Sequence, residues 1–236
     1  MKAEHIKEFS KNAYRYDAHT ALQQEVARHL LSRISHRPHN VLDLGCGSGA
    51  VYKQLPWKVE HFIGVDQSEA MCELHPKNDT VTLICENFES KPLFEKTVYD
   101  LIISSSALQW ASDLEALLAM IATSCRQGAF AIFCDKTFLD VYALSQLPTF
   151  LPNAQAIIDV CQKHFLCHHE VKTYRLFFEN NKEIFSYIKK SGVSGGRKAL
   201  SVAQTKRLIR EYPHAYLEFE VLYIWGTSYQ NNNATL

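Results

Sequence analysis

The stretch NVLDLGCGSGA, residues 40–50, constrains the fold more than any other part of the chain. Its first five residues are mostly apolar and predict a buried strand, and glycines follow at three alternate positions, Gly45, Gly47 and Gly49. Because glycine lacks a side chain, such a loop turns tightly and lets a ligand approach its backbone N–H groups. We therefore expect a strand, a ligand-binding loop and then a helix whose N-terminus faces the ligand.

Similar apolar runs recur through the first two thirds of the chain and alternate with helical patterns. Strands are predicted at residues 61–65, 80–84, 100–104 and 129–134, in addition to 40–44. The clearest helical pattern is 113–125, where leucine and isoleucine recur at helical spacing after the capping residue Asp113. Strands separated by helices in this way predict an α/β fold with a doubly wound, Rossmann-like sheet, which binds ligands at the carboxyl ends of its strands.

The alternation changes after residue 135. A helical region at 139–164 precedes a strand at 170–178, two helices at 182–190 and 201–212, and a final strand at 216–225. Residues 21–34 predict an amphipathic helix ahead of the sheet. At 236 residues the chain suits one core. We predict a single domain with an N-terminal helical arm (1–38), a cofactor-binding core (39–135) and substrate-side helices and strands (136–236).

Charge and cysteine content restrict the partners and the compartment. Lysine plus arginine equals aspartate plus glutamate at 25 each, so no overall field attracts nucleic acid or a membrane. The seven cysteines include no C-x-x-C pair, which indicates a reducing compartment, and the run CQKHFLCHH at 161–169 fits no standard zinc spacing. No apolar run reaches the roughly 20 residues that span a bilayer. We expect a cytoplasmic protein without a metal.

The glycine loop fits two cofactor templates. Gly45, Gly47 and Ala50 match the G-x-G-x-x-G/A fingerprint of dinucleotide sites, whereas Asp43 and the three glycines match the D-x-G-x-G-x-G pattern of S-adenosylmethionine sites. A carboxylate at Asp43 is costly to bury unpaired and would repel a diphosphate, but it would attract the ammonium group of S-adenosylmethionine. The position of Asp43 therefore favours S-adenosylmethionine over a nicotinamide cofactor.

The next two strands end in residues that suit an adenosine group. Asp66 follows the second strand, where a carboxylate can accept hydrogen bonds from both ribose hydroxyls of either cofactor. After the third strand, the amide of Asn87 can accept from the adenine amine, and the backbone N–H of Phe88 can reach a ring nitrogen.

With these residues, the segments GVDQSEAM (64–71), ENFESKPL (86–93) and YDLIISSSALQW (99–110) resemble the successive motifs of class I S-adenosylmethionine-dependent methyltransferases. The resemblance implies a mostly parallel sheet with an antiparallel last strand and S-adenosyl-L-methionine as the cofactor. It implies cofactor contacts from Asp43, Gly45, Gly47, Gly49, Asp66, Gln67, Met71, Asn87, Phe88 and Ser104 or Ser105. Met71 would pack on adenine, and Ser104 or Ser105 would lie near the carboxylate tail.

Two residues depart from the pattern of this family. Asn87 stands where the family usually has an aspartate, and Ser105 where it often has an asparagine. These departures keep open a protein that binds the cofactor without transferring a methyl group.

A more specific resemblance concerns the methyl acceptor. The arm motif F-x-x-x-A-x-x-Y followed by L-Q (Phe9, Ala13, Tyr16, Leu22, Gln23), the ALQW run (107–110) and YIKKSGVSGGR (187–197) are similar to the malonyl-acyl-carrier-protein O-methyltransferases of early biotin synthesis. The resemblance implies that Arg197, with Arg15 as second candidate, grips the acceptor carboxylate. Tyr16 and Trp110 would form walls, and Gln109 would orient the acyl group. A carboxylate acceptor is already ionised at neutral pH and needs no general base.

The same QW pair occurs in trans-aconitate methyltransferase, so a carboxyl methyltransferase of that small-acid type is the alternative. A local basic patch bears on the choice, because residues 184–210 contain no acidic residue. Its cations are Lys189, Lys190, Arg197, Lys198, Lys206, Arg207 and Arg210. Such a patch would suit the acidic helices of an acyl carrier protein, or it could be two ordinary solvated helix faces. Without interleaved aromatic residues it does not favour nucleic acid.

Overall fold

The computed structural model describes residues 21–95, 97–190 and 202–230, apart from the side chains of residues 189, 190 and 202. Several predicted residues lie outside this part of the chain. They are the arm residues Phe9, Ala13, Arg15 and Tyr16, the glycine-rich turn at 191–196, and Arg197 and Lys198. Within the described part, no helix is both long and apolar enough to cross a membrane.

Seven strands form one sheet in the order β3-β2-β1-β4-β5-β7-β6. Strands β1 to β5 are parallel, and β7 is antiparallel to both β5 and β6. Their bounds are Asn40–Leu44, His61–Asp66, Val81–Cys85, Tyr99–Ser105, Cys125–Phe133, Phe165–Phe177 and Tyr216–Ser228. This arrangement confirms the predicted Rossmann-like sheet with its antiparallel last strand.

Helices cover both faces of this sheet. In chain order they are α1 (Ala21–Leu31), α2 (Glu69–Leu74), α3 (Pro92–Glu95), α4 (Leu114–Ser124), α5 (Leu139–Ser145), α6 (Ala154–His164), α7 (Asn181–Lys190) and α8 (Val202–Glu211). Buried residues of α1, α7 and α8 pack with one face, and buried residues of α4 and α6 pack with the other. The predicted helical region 139–164 is two helices, because Pro148 and Pro152 lie between α5 and α6.

The helix predicted after the glycine loop is absent, and this prediction was wrong. Turns and a single 3₁₀ turn, Tyr52–Gln54, follow Gly49 instead. The chain must return to the start of β2 within residues 50–60, and Pro56 interrupts that short segment. No α-helix N-terminus therefore faces the loop in this fully described segment. Contacts between the loop and a ligand must come from the backbone of the loop and from neighbouring side chains.

Strands β1 and β4 are adjacent at the centre of the sheet, where the strand order reverses. In doubly wound sheets the crevice at such a reversal, outside the carboxyl ends of the strands, is where ligands bind. Asp43 lies near the carboxyl end of β1, and Ser105 ends β4. Side chains alternate between the two faces of a strand, so Asp43 lies on the same face as Val41, which packs with α1.

Candidate active site

Asp43 is a buried carboxylate without a partner in the described structure. Its side chain is 1% exposed, and neither carboxylate oxygen has a hydrogen bond. Burial, followed by the charge of Asp66, raises the pKa of Asp43 to about 8. An unpaired buried carboxylate is costly, because water no longer solvates it. The side chain thus fits a ligand with a cationic group, such as the ammonium group of S-adenosylmethionine.

The glycine loop has one side packed and one side open. Gly45 and Gly47 have φ values of 76° and 53°, a backbone region that favours glycine. A Cβ at Gly45 would lie 2.3 Å from the Cβ of Ala107, whereas a Cβ at Gly47 would meet nothing within 4 Å. Gly49 packs against His75 and Pro76. The structure therefore separates Gly47, which has open space beside it, from two glycines that the packing of the loop requires.

Asp66, at the end of β2, holds this loop in place. Its Oδ2 accepts from the backbone N–H of Gly47 at 2.9 Å, and its Oδ1 accepts from the N–H of Ser68 at 2.8 Å. Burial raises the pKa of Asp66, and these two hydrogen bonds oppose the rise. Each oxygen keeps a second lone pair, so the ribose contact stays a prediction beside this structural role. Gln67 is half-buried in the adjoining turn.

The residues expected at adenine lie on two neighbouring segments. Met71 is 2% exposed in α2, whose N-cap is Ser68. The side-chain oxygen of Asn87 accepts from the backbone N–H of Glu89 at 3.0 Å. Phe88 is buried and its ring lies near Gly45. Asn87 thus braces its own turn, and its contact with adenine, like that of Met71 and Phe88, stays a prediction.

The three serines at the end of β4 differ in burial and in their hydrogen bonds. Ser104 is fully buried and donates to the carbonyl of Leu44 at 2.6 Å, so it does not line the cavity that lies between the glycine loop and α1. Ser105 and Ser106 both line it, and both hydroxyls are buried without a partner among the described residues. Ser106 also has a φ of 65°, which is strained for a residue with a side chain. Sequence reasoning missed Ser106, because nothing in the letters signals that backbone angle.

The cavity between the glycine loop and α1 has a volume of about 210 Å³. Helix α1 contributes Gln23, Gln24 and Arg28, to which sequence reasoning assigned no part in the cavity. The Oε1 of Gln23 is buried without a hydrogen bond in the described structure. Arg28 and Lys53 are cationic, and the lining drawn from the described residues contains no histidine, aspartate or glutamate. Arg28 also pairs with Glu25, which offsets part of its charge.

Gln109 and Trp110 form a 3₁₀ turn with Leu108 just after β4. The amide nitrogen of Gln109 donates to the carbonyl of Ser106 at 2.7 Å, while its oxygen is buried and lacks a partner in the described part. The ring of Trp110 stacks on Phe150, with centroids 5.6 Å apart, and Tyr142 meets Phe150 edge-on. The structure thus ties Gln109 to Ser106, which lines the cavity, and makes Trp110 part of an aromatic cluster that includes two rings sequence reasoning missed.

The basic patch is weaker than the sequence indicated. Arg207 and Arg210 both bind Glu211, at 2.7 and 3.0 Å, immediately after the stretch without acids. One carboxylate therefore offsets part of the charge of two exposed arginines. Lys206 is exposed on the same helix, and the side chains of Lys189, Lys190, Arg197 and Lys198 lie outside the described set.

Comparison with known proteins identifies a methyltransferase domain in this chain. Residues 42–133 match the methyltransferase domain family. A methyltransferase solved in complex with the Haloferax volcanii Trm112 methyltransferase activator has the same fold, with a TM-score of 0.63 and 16% identity over 93% of this chain and 97% of that one. Residues 42–133 therefore form a methyltransferase domain, as the motifs predicted, and its cofactor is S-adenosylmethionine.

Within this class, the chain resembles malonyl-acyl-carrier-protein O-methyltransferases. The protein of that name from Anoxybacillus flavithermus is 31% identical over 58% of this chain, but the match spans only 55% of that enzyme. The one from Acetivibrio thermocellus is 28% identical over 88% of this chain and 85% of the enzyme. These matches agree with the predicted S-adenosylmethionine-dependent O-methyltransferase.

Cofactor binding is expected to strengthen as the pH rises to about 8. Because the pKa of Asp43 is about 8 in the empty protein, this carboxyl group must lose a proton before it can pair with an ammonium group. The dissociation constant should then fall by up to about tenfold per pH unit below that value. Since the folded pKa lies above the unfolded one, Asp43 also makes the empty protein less stable as pH rises from about 4 to about 8.

Calorimetry in buffers of different ionisation enthalpy measures this effect directly. About one proton should be released per cofactor bound near neutral pH. Binding that is independent of pH and releases no proton would contradict the assignment of Asp43 as the partner of the ammonium group.

Proposed function

We propose that the protein transfers the methyl group of S-adenosylmethionine to the free carboxylate of a malonyl thioester carried by an acyl carrier protein, an early step of biotin synthesis. The observation that carries this proposal is the similarity to malonyl-acyl-carrier-protein O-methyltransferases, which extends over 88% of the chain in one relative.

The reaction requires little from the protein beyond binding and orientation. The sulfonium group of the cofactor supplies an electrophilic methyl, and an ionised carboxylate attacks it without a general base. A neutral hydroxyl or ammonium acceptor would need a group to remove its proton.

In this proposal the residues divide between cofactor and acceptor. Asp43 holds the ammonium group of the cofactor, Gly47 allows its close approach, and Ser105 donates to its carboxylate tail. Gln109 orients the acyl group and Trp110 excludes water beside it. Tyr16 and Arg197, which we expect to close the acceptor side, lie outside the described residues.

A panel of acceptors tests the proposal. Purified protein with labelled S-adenosylmethionine is expected to form a methyl ester on malonyl-acyl carrier protein, with malonyl-coenzyme A and free dicarboxylic and tricarboxylic acids compared in parallel. Turnover of a free acid alone would replace the proposal with a small-acid methyltransferase of the trans-aconitate type. Cofactor binding without turnover of any acid would indicate a catalytically silent binding protein.

We further propose that the exposed cations of α8 contact the carrier protein. Reversing the charge at Lys206, Arg207 and Arg210 to glutamate is expected to raise KM for malonyl-acyl carrier protein roughly tenfold. The KM for malonyl-coenzyme A should not change, because coenzyme A lacks the acidic helices through which the carrier protein would contact α8. Steady-state kinetics on both substrates measure the difference.

Arg175→Glu is the matched control for the helix variant. Arg175 is an exposed arginine paired with Glu218 at 2.9 Å, as Arg207 is paired with Glu211, but it lies on β6. Its KM for both substrates should equal that of the wild type. An equal rise in KM from Arg175→Glu would show a general charge effect and remove α8 as the docking surface.

A further inference from the structure

Two cysteines meet at one turn beside the proposed adenosine contacts. Cys72 lies in α2, and Cys85 ends β3, where it pairs in register with Asp66. The thiol of Cys72 donates to the carbonyl of Asp66 at 3.7 Å, and the thiol of Cys85 donates to the carbonyl of Gln67 at 3.9 Å. Both sulfur atoms therefore lie against consecutive carbonyl groups of the same turn.

The two thiols differ in exposure, and the pKa of the buried one is raised. Cys85 is exposed, whereas Cys72 is 8% exposed, and neither forms a disulfide. The pKa of Cys72 is raised to about 12 by burial, by the charge of Asp66, and by the charge and a hydrogen bond of Cys85. Cys72 therefore stays protonated near neutral pH, and the exposed sulfur of Cys85 is the one that a small oxidant in solution can reach.

The position of this pair links it to cofactor binding. Cys72 directly follows Met71, and a single residue, Glu86, separates Cys85 from Asn87. A bond between the sulfurs would join α2 to the end of β3, the two segments that carry the proposed adenine contacts. To form it, both sulfur atoms must give up their contacts with the carbonyl groups of Asp66 and Gln67, in the turn that carries the Asp66 carboxylate.

We propose that Cys72 and Cys85 form a peroxide-sensitive modification site whose disulfide lowers the affinity for S-adenosylmethionine. The effect on affinity rests on the proposed adenosine contacts, whereas the formation of the disulfide rests only on the geometry of the two thiols. Intracellular disulfides of this kind act transiently, as redox sensors.

The chemistry balances with a hydroperoxide as the oxidant. When the oxidant is hydrogen peroxide, the thiolate of Cys85 attacks one peroxide oxygen and the O–O bond breaks. The products of this step are Cys85 sulfenic acid and one water. The sulfur of Cys72 then attacks the sulfur of Cys85, the S–O bond breaks, and hydroxide leaves as water with the proton of Cys72. Two thiols and one hydrogen peroxide thus give one disulfide and two waters.

Hydrogen peroxide treatment of the purified protein tests the site. Peptide mass analysis after alkylation of free thiols is expected to show a disulfide between Cys72 and Cys85, reversed by dithiothreitol. Calorimetry should show affinity for S-adenosylmethionine about tenfold weaker in the oxidised protein, a common size for coupling between two sites. Bound cofactor should slow the formation of the disulfide by the same coupling.

Three single variants serve as controls. Cys85→Ser and Cys72→Ser should form no such disulfide and keep their affinity after peroxide, whereas Cys167→Ser, which removes a half-buried thiol on β6, should respond like the wild type. A disulfide of Cys72 with Cys46, oxidation of Cys85 without a disulfide, or a disulfide without loss of affinity would each overturn the proposal. If the reduced wild type fails to bind S-adenosylmethionine, the proposed function and the effect on affinity both fail, while mass analysis still decides whether the disulfide forms.

Discussion

Replacing Asp43 with asparagine is expected to weaken the binding of S-adenosylmethionine by about 100-fold, since removing one partner of a buried charge pair costs a few kcal/mol. The same change should make the empty protein more stable at neutral pH, on the order of 2 kcal/mol, because the buried carboxyl group of Asp43 must take up a proton on folding and asparagine need not. The opposite signs follow from the 1% exposure of Asp43 and from the lack of any hydrogen bond to it in the described structure. A purely structural aspartate would lose stability on substitution.

Calorimetry with the cofactor and urea unfolding without it measure the two effects. Asp113→Asn is the matched control, because Asp113 caps α4 through the backbone N–H of Ala116, and asparagine caps a helix equally well. That variant should match the wild type in both measurements. An Asp43→Asn protein that binds the cofactor normally, or that unfolds more easily than the wild type, would contradict the role assigned to this carboxylate.

Alanine at Gly45 and at Gly47 is expected to affect different properties. At Gly45 the new Cβ would lie 2.3 Å from the Cβ of Ala107 in a backbone with a φ of 76°, so the free energy of unfolding should fall by about 3 kcal/mol. At Gly47 the methyl group meets nothing within 4 Å, so only the backbone strain of about 1 kcal/mol remains. The Gly47 methyl group would instead occupy space proposed for the cofactor, and affinity should fall.

Urea unfolding and calorimetric titration of both variants separate these outcomes. Ala107→Gly supplies a further control, because it removes the atom that the Gly45→Ala methyl group would strike. The double variant should recover part of the stability lost in Gly45→Ala, while Ala107→Gly should give Gly47→Ala no comparable gain. Equal losses of stability in the two alanine variants, with unchanged affinity in Gly47→Ala, would show that Gly47 does not face the ligand.

The motifs of the first 110 residues lie where strands end, so the sheet brings them together at one edge. The apolar run 40–44 is itself strand β1, and the prediction that Asp43 is a buried carboxylate followed from its position among apolar residues. The helix expected after Gly49 failed for a physical reason. Glycine patterns describe how the chain leaves a strand, but the length of the return to β2 decides whether a helix can form.

The serines at the end of β4 mark the limit of sequence reasoning. Alternate residues of a strand point to opposite faces, so either Ser104 or Ser105 could reach the ligand, and the letters do not say which. The tertiary structure decides, because Ser104 donates to Leu44 and is buried, while Ser105 lies on the α1 face with Asp43. Ser106 and Gln23 reach the cavity only through a strained backbone angle and through the docking of α1.

Local information in the sequence determined the strands, the glycine loop, the buried carboxylate and the class of cofactor, because each depends on residues close together in the chain. Only the tertiary structure decided which glycine is open to a ligand, which serine faces the cavity, that Glu211 offsets Arg207 and Arg210, and that Cys72 lies beside Cys85. Those outcomes depend on the register between strands and on helix packing, which bring together side chains whose spacing in the sequence carries no signal.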